Sequence, residues 1–469
     1  MNRTLKQVAE MCGGNSKGVD PGLTIHGAVT DSRNAKPGQL FIPLIGERFD
    51  GHHYAEQAIA GGAVAMLWQA DHEVPSELQH VPRVLVKNTL AALQQLAKAY
   101  RSELVVRVVG ITGSNGKTTT KDLTAAVLGT VYKVHKTEGN LNNEIGLPLT
   151  VLQLEEDTEV AVLEMGMSGF GEIELLTQIA QPDAAIITNI GESHMLQLGS
   201  RAGIAKAKLE ITSGLSEQGL LLFNGDEPLL HEEIARTAIP SGVTVRTFGL
   251  SDRNDWSAEQ IKLYTEGSSF IAKYNGEASS LGELQLKTPG IHNISNALGV
   301  IAVARFFGVP AHKIAEGLLQ ANLTGMRIEP STAFNGAKLL NDCYNASPTS
   351  VRAALDLVAS VEGYSHKWIV LGDMLELGEE EAQMHEEIGK HAALGGATAV
   401  LAYGELSRHI YEGAKAVMEQ TGKGEAHYFD TKDELSKWLI GRIQEDDIVL
   451  VKGSRGMQME QIVSQLEKG

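Results

Sequence analysis

The stretch RVVGITGSNGKTTTKD, residues 107–122, constrains this chain more than any other. The β-branched run LVVRVV (104–109) reads as a strand, and TTTKDLTAAVLG (118–129) reads as a helix. Between them lies a Gly-rich turn followed by Lys-Thr. A strand–turn–helix of this kind aims the unpaired N–H groups of a helix start at one point, which makes a nest for an anion. Gly113 and Gly116 let the backbone approach a phosphate, Lys117 reaches its outer oxygens as a point charge, and Thr118 offers a hydroxyl to Mg²⁺. The spacing departs from the usual G-x-x-x-x-G-K-[ST]. Its first Gly position holds Ile111, and Gly110 comes one residue early. A plain turn would explain Gly-Lys-Thr alone. The run of Gly, Asn, Lys and three Thr between strand and helix favours a nucleotide loop made of Thr112, Gly113, Ser114, Asn115, Gly116, Lys117, Thr118 and Thr119.

The rest of the chain suits that loop. After it, short apolar runs alternate with helical stretches: TEVAVLEMG (158–166), DAAIITNIG (183–191) and GLLLFNGD (219–226). Continuous apolar strands between helices predict a mostly parallel sheet covered on both faces. A more polar meander follows at about 243–288, then the helix HNISNALGVIAVARFFG (292–308), ended by Gly. The alternation resumes with KLLNDCY, HKWIVLGD, ATAVLAYG and DDIVLVKG. The first hundred residues mix short elements: a strand in QLFIPLIG (39–46), a helix–Gly-Gly–strand at 53–67, and an amphipathic helix at 89–103 with Thr89 as its N-cap. The predicted fold class is α/β with three domains, at 1–103, 104–325 and 326–469. The last two are placed to face one another beyond the carboxyl ends of their strands, where such sheets bind ligands.

Composition narrows the function. A formal net charge of −18 argues against general nucleic-acid binding, which needs basic surface. No apolar run is long enough to span a bilayer, so no membrane insertion is expected. The start MNRTLKQVAEMCGG lacks the pattern of a secretion signal, and neither Cys12 nor Cys343 has metal-type spacing. The expected location is the cytoplasm. If Mg²⁺ joins a nucleotide here, a carboxylate should end a neighbouring strand. Glu164 stands there, and His194 stands just past another strand end.

The variant spacing G-I-T-G-S-N-G-K-T-T resembles the ATP loop of the Mur ligases and the related folylpolyglutamate synthetases, and the resemblance runs over essentially the whole chain. TNIGESHM is similar to the family's metal-ligand segment, with His194 in the ligand place. AGIAKAKLEI is similar to the segment with a carbamylated lysine, which implies Lys208, with Lys206 as the alternative. GIHNISNA resembles the adenine-contacting segment through His292, Asn293 and also Asn296. GMRIEP is similar to the segment whose arginine helps hold the nucleotide, which implies Arg327, and the resemblance of NDCYNASP implies Asp342 near the ribose or phosphates. ATP and Mg²⁺ are the implied cofactors, with Thr118, Glu164, His194 and Lys208 around the metal.

The family's domain plan is then implied: a small α/β N-terminal UDP-sugar domain, a central P-loop-type domain with a mostly parallel sheet, and a C-terminal Rossmann-like α/β domain that brings the amine substrate. The head at 30–54 resembles the UDP-sugar domain of two family members, with Ser32 and Arg33 near the nucleotide sugar. TEGNLNNEIGLPLTVL, VLGDMLELG and VKGSRGMQME resemble the member that joins D-alanyl-D-alanine to UDP-N-acetylmuramoyl-tripeptide. This implies substrate roles for Asn140, Asn142, Asn143, Asn345, Lys452 and Arg455, a monomer, and a C-terminal domain that swings shut on its substrates. Taken singly, these segments read equally well as turns and solvated cations. Their joint occurrence in the family's order is what favours function. Two readings stay open beside it: a ligase adding the third amino acid, and a P-loop ATPase switch that ligates nothing.

Overall fold

A computed structural model describes residues 1–16, 20, 22–264, 266–323 and 328–469. Two large sheets dominate. The first has nine strands, and Arg107–Thr112 lies inside it between Val160–Glu164 and Ala184–Ile187, parallel to both. Val134–Lys136 closes one edge. On the other side, Leu220–Asn224 and Thr244–Phe248 continue the parallel run, and the meander Trp256–Tyr264, Gly267–Tyr274, Glu277–Leu286 finishes it antiparallel. The second sheet has six strands, all parallel except Glu329–Thr332. Its centre is Ile448–Lys452, between Lys338–Asp342 and Lys367–Gly372. A four-stranded parallel sheet and a two-stranded antiparallel ribbon make up the first hundred residues.

The α/β expectation therefore holds, with local corrections. The strand expected at 104–109 runs Arg107–Thr112. Leu104 instead receives the end of the preceding helix, and Val105 is fully exposed between them. The strand expected at 39–46 is only Leu40–Phe41, followed by Pro43, which has no N–H to extend a ladder. The cap of helix Thr89–Glu103 is Asn88, not Thr89. Asn88 Oδ1 accepts from Ala91 N at 2.8 Å, and the Thr89 side chain is buried. Both cysteines are buried thiols, which burial pushes up to about 11 at Cys12 and about 12 at Cys343.

The cores show which parts pack as one unit. One apolar cluster runs without a break from Leu5, Leu93, Leu96 and Tyr100 into Val108, Leu147, Leu163 and Ile187. Each such side chain, fully buried, contributes roughly 1.5–3 kcal/mol. Polar ties reinforce the joint. Tyr100 Oη donates to Leu154 O at 2.7 Å, and Arg101 Nε donates to Ala180 O at 2.9 Å. The six-stranded sheet has its own two clusters, one on each face. No apolar cluster among the described residues joins it to the nine-stranded sheet. Polar ties such as Thr349 to Glu192 and Lys338 to Glu266 link the two, and the short helix Met195–Leu198 meets the turn Gly378–Glu380. The boundary expected at Gly325 lies outside the described residues.

Candidate active site

The phosphate loop forms because only glycine suits its two bends. Gly113 has φ +146°, and a Cβ there would lie 1.8 Å from Thr188 Oγ1. Gly116 has φ +80° and precedes helix Lys117–Leu128, and a Cβ on it would press on the Asn296 amide at 2.9 Å. No side chain caps this helix, so its first N–H groups stay available to an anion. The segment after strand Ala184–Ile187 holds the loop in shape. Ser114 N donates to Asn189 O at 3.0 Å, Asn115 N donates to Asn189 Oδ1 at 2.8 Å, and Thr188 Oγ1 donates to Asn115 O at 2.5 Å. Lys117 Nζ donates to Gly113 O at 2.8 Å and to Ser114 O at 3.3 Å. Three polar atoms of the loop, Thr112 Oγ1, Ser114 Oγ and Asn115 Nδ2, are buried without a hydrogen-bond partner. Buried polar atoms are usually paired, so these three suit a loop whose partner is a bound ligand or ordered water.

Beside the loop sits a buried carboxylate. Glu164 Oε2 accepts from Thr118 Oγ1 at 2.9 Å, and Oε1 accepts from Asn142 Nδ2 at 2.8 Å. Thr137 Oγ1 holds the Glu164 N–H at 3.0 Å. Hard oxygen donors next to a phosphate nest suit Mg²⁺. Lys208, on helix Arg201–Leu209, is 3% exposed and makes no hydrogen bond or ion pair with any described residue. Burial, followed by the charge of Lys117, holds its amine well below the usual lysine range. Lys206 is exposed and lies against the Phe170 ring, so burial separates the two candidates. His194 adopts φ +66°, costly for a non-glycine residue. Burial lowers its proton affinity, Glu376 opposes this, and Lys117 and Lys208 add to it. These groups thus lie within electrostatic reach of one another. His194 Nδ1 is 3.1 Å from Glu376 Oε2, off the line of a hydrogen bond.

Two cavities flank this cluster, and both are walled by both large domains. The first, about 350 Å³, runs from Lys117 and Thr119 past His292 and Asn296 to Asp342 and Lys452. Lys452 Nζ pairs with Asp342 Oδ2 at 2.6 Å and donates to Asn345 O at 2.9 Å. Burial lowers the proton affinity of His292, whose buried Nδ1 lacks a hydrogen-bond partner. The second cavity, about 570 Å³, is lined by Thr118, Asn140, His194, Asn345 and Arg455. Thr118 faces the second cavity and Glu164 the first, so the two spaces meet at their hydrogen bond.

Some expected residues have structural duties. Asn143 Oδ1 accepts from Gly146 N at 2.9 Å at the start of helix Gly146–Leu152. Asn293 lines the first cavity while its Nδ2 donates to Pro289 O at 2.7 Å. Ser32 Oγ donates to Gln57 Oε1, and Arg33 pairs with Asp31 at 2.7 Å; both line neither cavity. Arg327 lies outside the described residues. Sequence reasoning missed Thr188 and Asn189, which shape the loop, and Glu192 and Thr349, which join the domains. The first three stand in the TNIGE segment just before His194, a proximity that could have flagged them.

The chain matches the model of the Mur ligase middle domain over residues 111–304, of the Mur ligase glutamate ligase domain over 326–455, and of the Mur ligase family catalytic domain over 24–101. It is 48% identical over 467 residues to UDP-N-acetylmuramoyl-tripeptide–D-alanyl-D-alanine ligase of Bacillus subtilis (strain 168), covering 99% of this chain and 98% of that one. The chain belongs to the Mur ligase family. Mur ligases are ATP-dependent ligases, and this chain is one. Among solved structures it is similar to MurF from Acinetobacter baumannii, with TM-score 0.89 and 30% identity over 100% of this chain and 99% of that one. It is also similar to MurF ligase from Thermotoga maritima in complex with ADP, with TM-score 0.82 and 27% identity over 94% and 97%. Among the described residues no helix is long and apolar enough to cross a membrane.

Proposed function

We propose that this Mur ligase joins D-alanyl-D-alanine to the terminal carboxylate of UDP-N-acetylmuramoyl-tripeptide, consuming one ATP, in the cytoplasmic assembly of the peptidoglycan precursor. The observation that carries the reading is the 48% identity, end to end, with the Bacillus subtilis ligase named for that reaction. The site geometry supports it. A ligase needs ATP, an acid and an amine at one point, and here a phosphate loop opens to a second cavity at Thr118 and Glu164.

The chemistry divides into two steps. The tripeptide carboxylate attacks the γ-phosphorus of ATP, forming an acyl phosphate and releasing ADP. The free amine of D-alanyl-D-alanine attacks the acyl carbon, and the tetrahedral adduct expels phosphate and loses a proton. The first step brings an anion to a polyanion, so neutralising charge is the main task. Lys117 and the open helix N–H groups would face the phosphates, with His292, Asn293, Arg327 and Asp342 along the rest of the nucleotide. Thr118, Glu164, His194 and carbamylated Lys208 would hold Mg²⁺, which would supply positive charge between the two anions. Carbamylation adds CO₂ to a free amine and releases a proton, which turns a repelling cation into an oxygen ligand. A buried lysine with no partner is the state that favours it. Residues 1–103 would hold the UDP-sugar through Ser32 and Arg33, 104–325 the ATP, and 326–469 the dipeptide near Asn345, Lys452 and Arg455. Asn140, Asn142 and Asn143 would line the path of the peptide, and the working unit would be a monomer.

The test offers the enzyme ATP, Mg²⁺ and UDP-N-acetylmuramoyl-tripeptide with D-alanyl-D-alanine, or with free diaminopimelate, lysine or glutamate. Mass spectrometry then reads the nucleotide product. The expected product carries one added D-alanyl-D-alanine and forms only with the dipeptide. Extension by a single amino acid instead would overturn the substrate assignment.

A further inference from the structure

We propose that Glu192 is a positioning residue that latches the C-terminal domain over the phosphate loop. This rests on the ligase reading above. Helix Pro348–Ser360 belongs to the C-terminal domain and starts with a capping box made by Ser347 and Ser350. That box leaves the N–H of Thr349, in the first turn, without an intrahelical partner. Glu192, from the other domain and 9% exposed, supplies one. Its Oε2 accepts from Thr349 N at 3.1 Å, and its two oxygens accept from Thr349 Oγ1 at 2.9 and 2.8 Å. A carboxylate at a helix N-terminus also gains from the helix dipole.

The position of this contact gives it consequence. Thr349 and Ser350 line the first cavity together with Lys117. Ser347 Oγ reaches Asn115 Oδ1, in the phosphate loop, at 3.3 Å. Glu192 sits in the same short segment as Thr188 and Asn189, which shape that loop, and two residues before His194. One stretch of backbone therefore grips the nucleotide loop, carries a metal-ligand candidate and holds the closing domain. No apolar cluster among the described residues spans this boundary, so polar contacts carry it, this one together with Ser347 to Asn115 and Lys338 to Glu266 at 2.7 Å. Losing the latch would leave the acyl phosphate open to water and spend ATP without joining the dipeptide.

The experiment compares wild type with E192A, E192Q, T349A, T349S and the double variant E192A/T349A. It reads kcat, KM for ATP, and ADP formed per dipeptide joined. Charge-assisted hydrogen bonds of this kind predict a kcat lower by about 10–100-fold in E192A. KM for ATP should stay within about threefold, the pattern of an interaction made on the way to the transition state. ADP should exceed joined dipeptide in E192A and match it in wild type. E192Q and T349S, which keep part of the contact, should lie between. The double variant should be no worse than E192A alone, because both substitutions break one contact. Additive losses, or wild-type coupling of ADP to product in E192A, would overturn the latch. If E192A does not fold, E192Q and T349A carry the same comparison. Small-angle scattering with a non-hydrolysable ATP analogue and the tripeptide nucleotide needs no ligation. Less compaction in E192Q than in wild type supports the latch even if the assigned dipeptide is wrong, and equal compaction counts against it.

Discussion

Lys117 and Lys208 are the same side chain in opposite circumstances. Lys117 rests its ammonium on two loop carbonyls, whereas Lys208 is enclosed with no acceptor among the described residues. Desolvation and the neighbouring Lys117 charge favour the neutral amine at Lys208, the form that combines with CO₂. In ¹³C-bicarbonate buffer the wild-type protein should show a carbamate carbon resonance that vanishes in K208A. Ligation should fall in K208A by more than the ~10–100-fold that loss of a supporting metal-site residue usually costs. An unchanged spectrum in K208A would remove the carbamate. At this scale the sequence was most legible where glycine was obligatory. Gly113 and Gly116 could be read as backbone requirements, and both have positive φ in crowded surroundings. Glu192 could not be read in this way, because its partner Thr349 lies 157 residues away and only the tertiary fold brings them together.

Among the elements, one small turn in the first domain shows how charge pins structure. His72 places Nδ1 2.7 Å from Asp71 Oδ1 and Nε2 3.1 Å from Asp50 Oδ2, and only an imidazolium can donate both bonds. Asp71 first, and then Asp50, raises its proton affinity against a cost from burial. Stability from a raised histidine is fully present below the unfolded value near 6.5 and is lost as pH rises through the folded value. Wild type should therefore exceed H72Q in unfolding free energy at pH 5.5, by up to about 1 kcal/mol for so exposed a pair. The gap should shrink by pH 8.5, as read from urea titrations at both pH values. A gap that grows with pH would contradict the assignment. The neighbouring His52 accepts from Gln69 N at Nε2, so its Nδ1 carries the proton given to Asp50. Element types in the two large domains followed from the apolar runs, because strands buried on both faces leave a continuous signal. Boundaries were less legible. Asn88 displaced Thr89 as cap, and the strand after it began three residues late, because cap geometry and sheet register are set by neighbours that no local pattern encodes.

For the whole molecule, the arrangement of cores predicts the units of unfolding. The first domain shares one apolar cluster with the nine-stranded sheet, while the C-terminal sheet keeps its own. Calorimetry of the ligand-free protein should show two transitions, with the C-terminal domain melting apart from a joint N-terminal and central unit. An ATP analogue with the tripeptide nucleotide should draw the two together, because both cavities proposed for these ligands are walled by both domains. Three transitions, or a first domain that melts alone, would contradict the shared core. The three-part plan was visible in the sequence, but the fusion of the first two parts was not. The residues that join them, such as Tyr100 and Leu154, look like ordinary core and turn positions until the fold sets them together.

In the proposed reaction ATP activates a carboxylate for peptide-bond formation. The most direct measurement follows an oxygen atom. UDP-N-acetylmuramoyl-tripeptide with ¹⁸O in its terminal carboxylate is turned over with ATP, Mg²⁺ and D-alanyl-D-alanine, and the released phosphate is analysed by mass. The acyl-phosphate route predicts one ¹⁸O in each phosphate, in step with one dipeptide joined. Phosphate that carries only solvent oxygen, released whether or not the dipeptide is present, would mark the protein as an ATPase that ligates nothing.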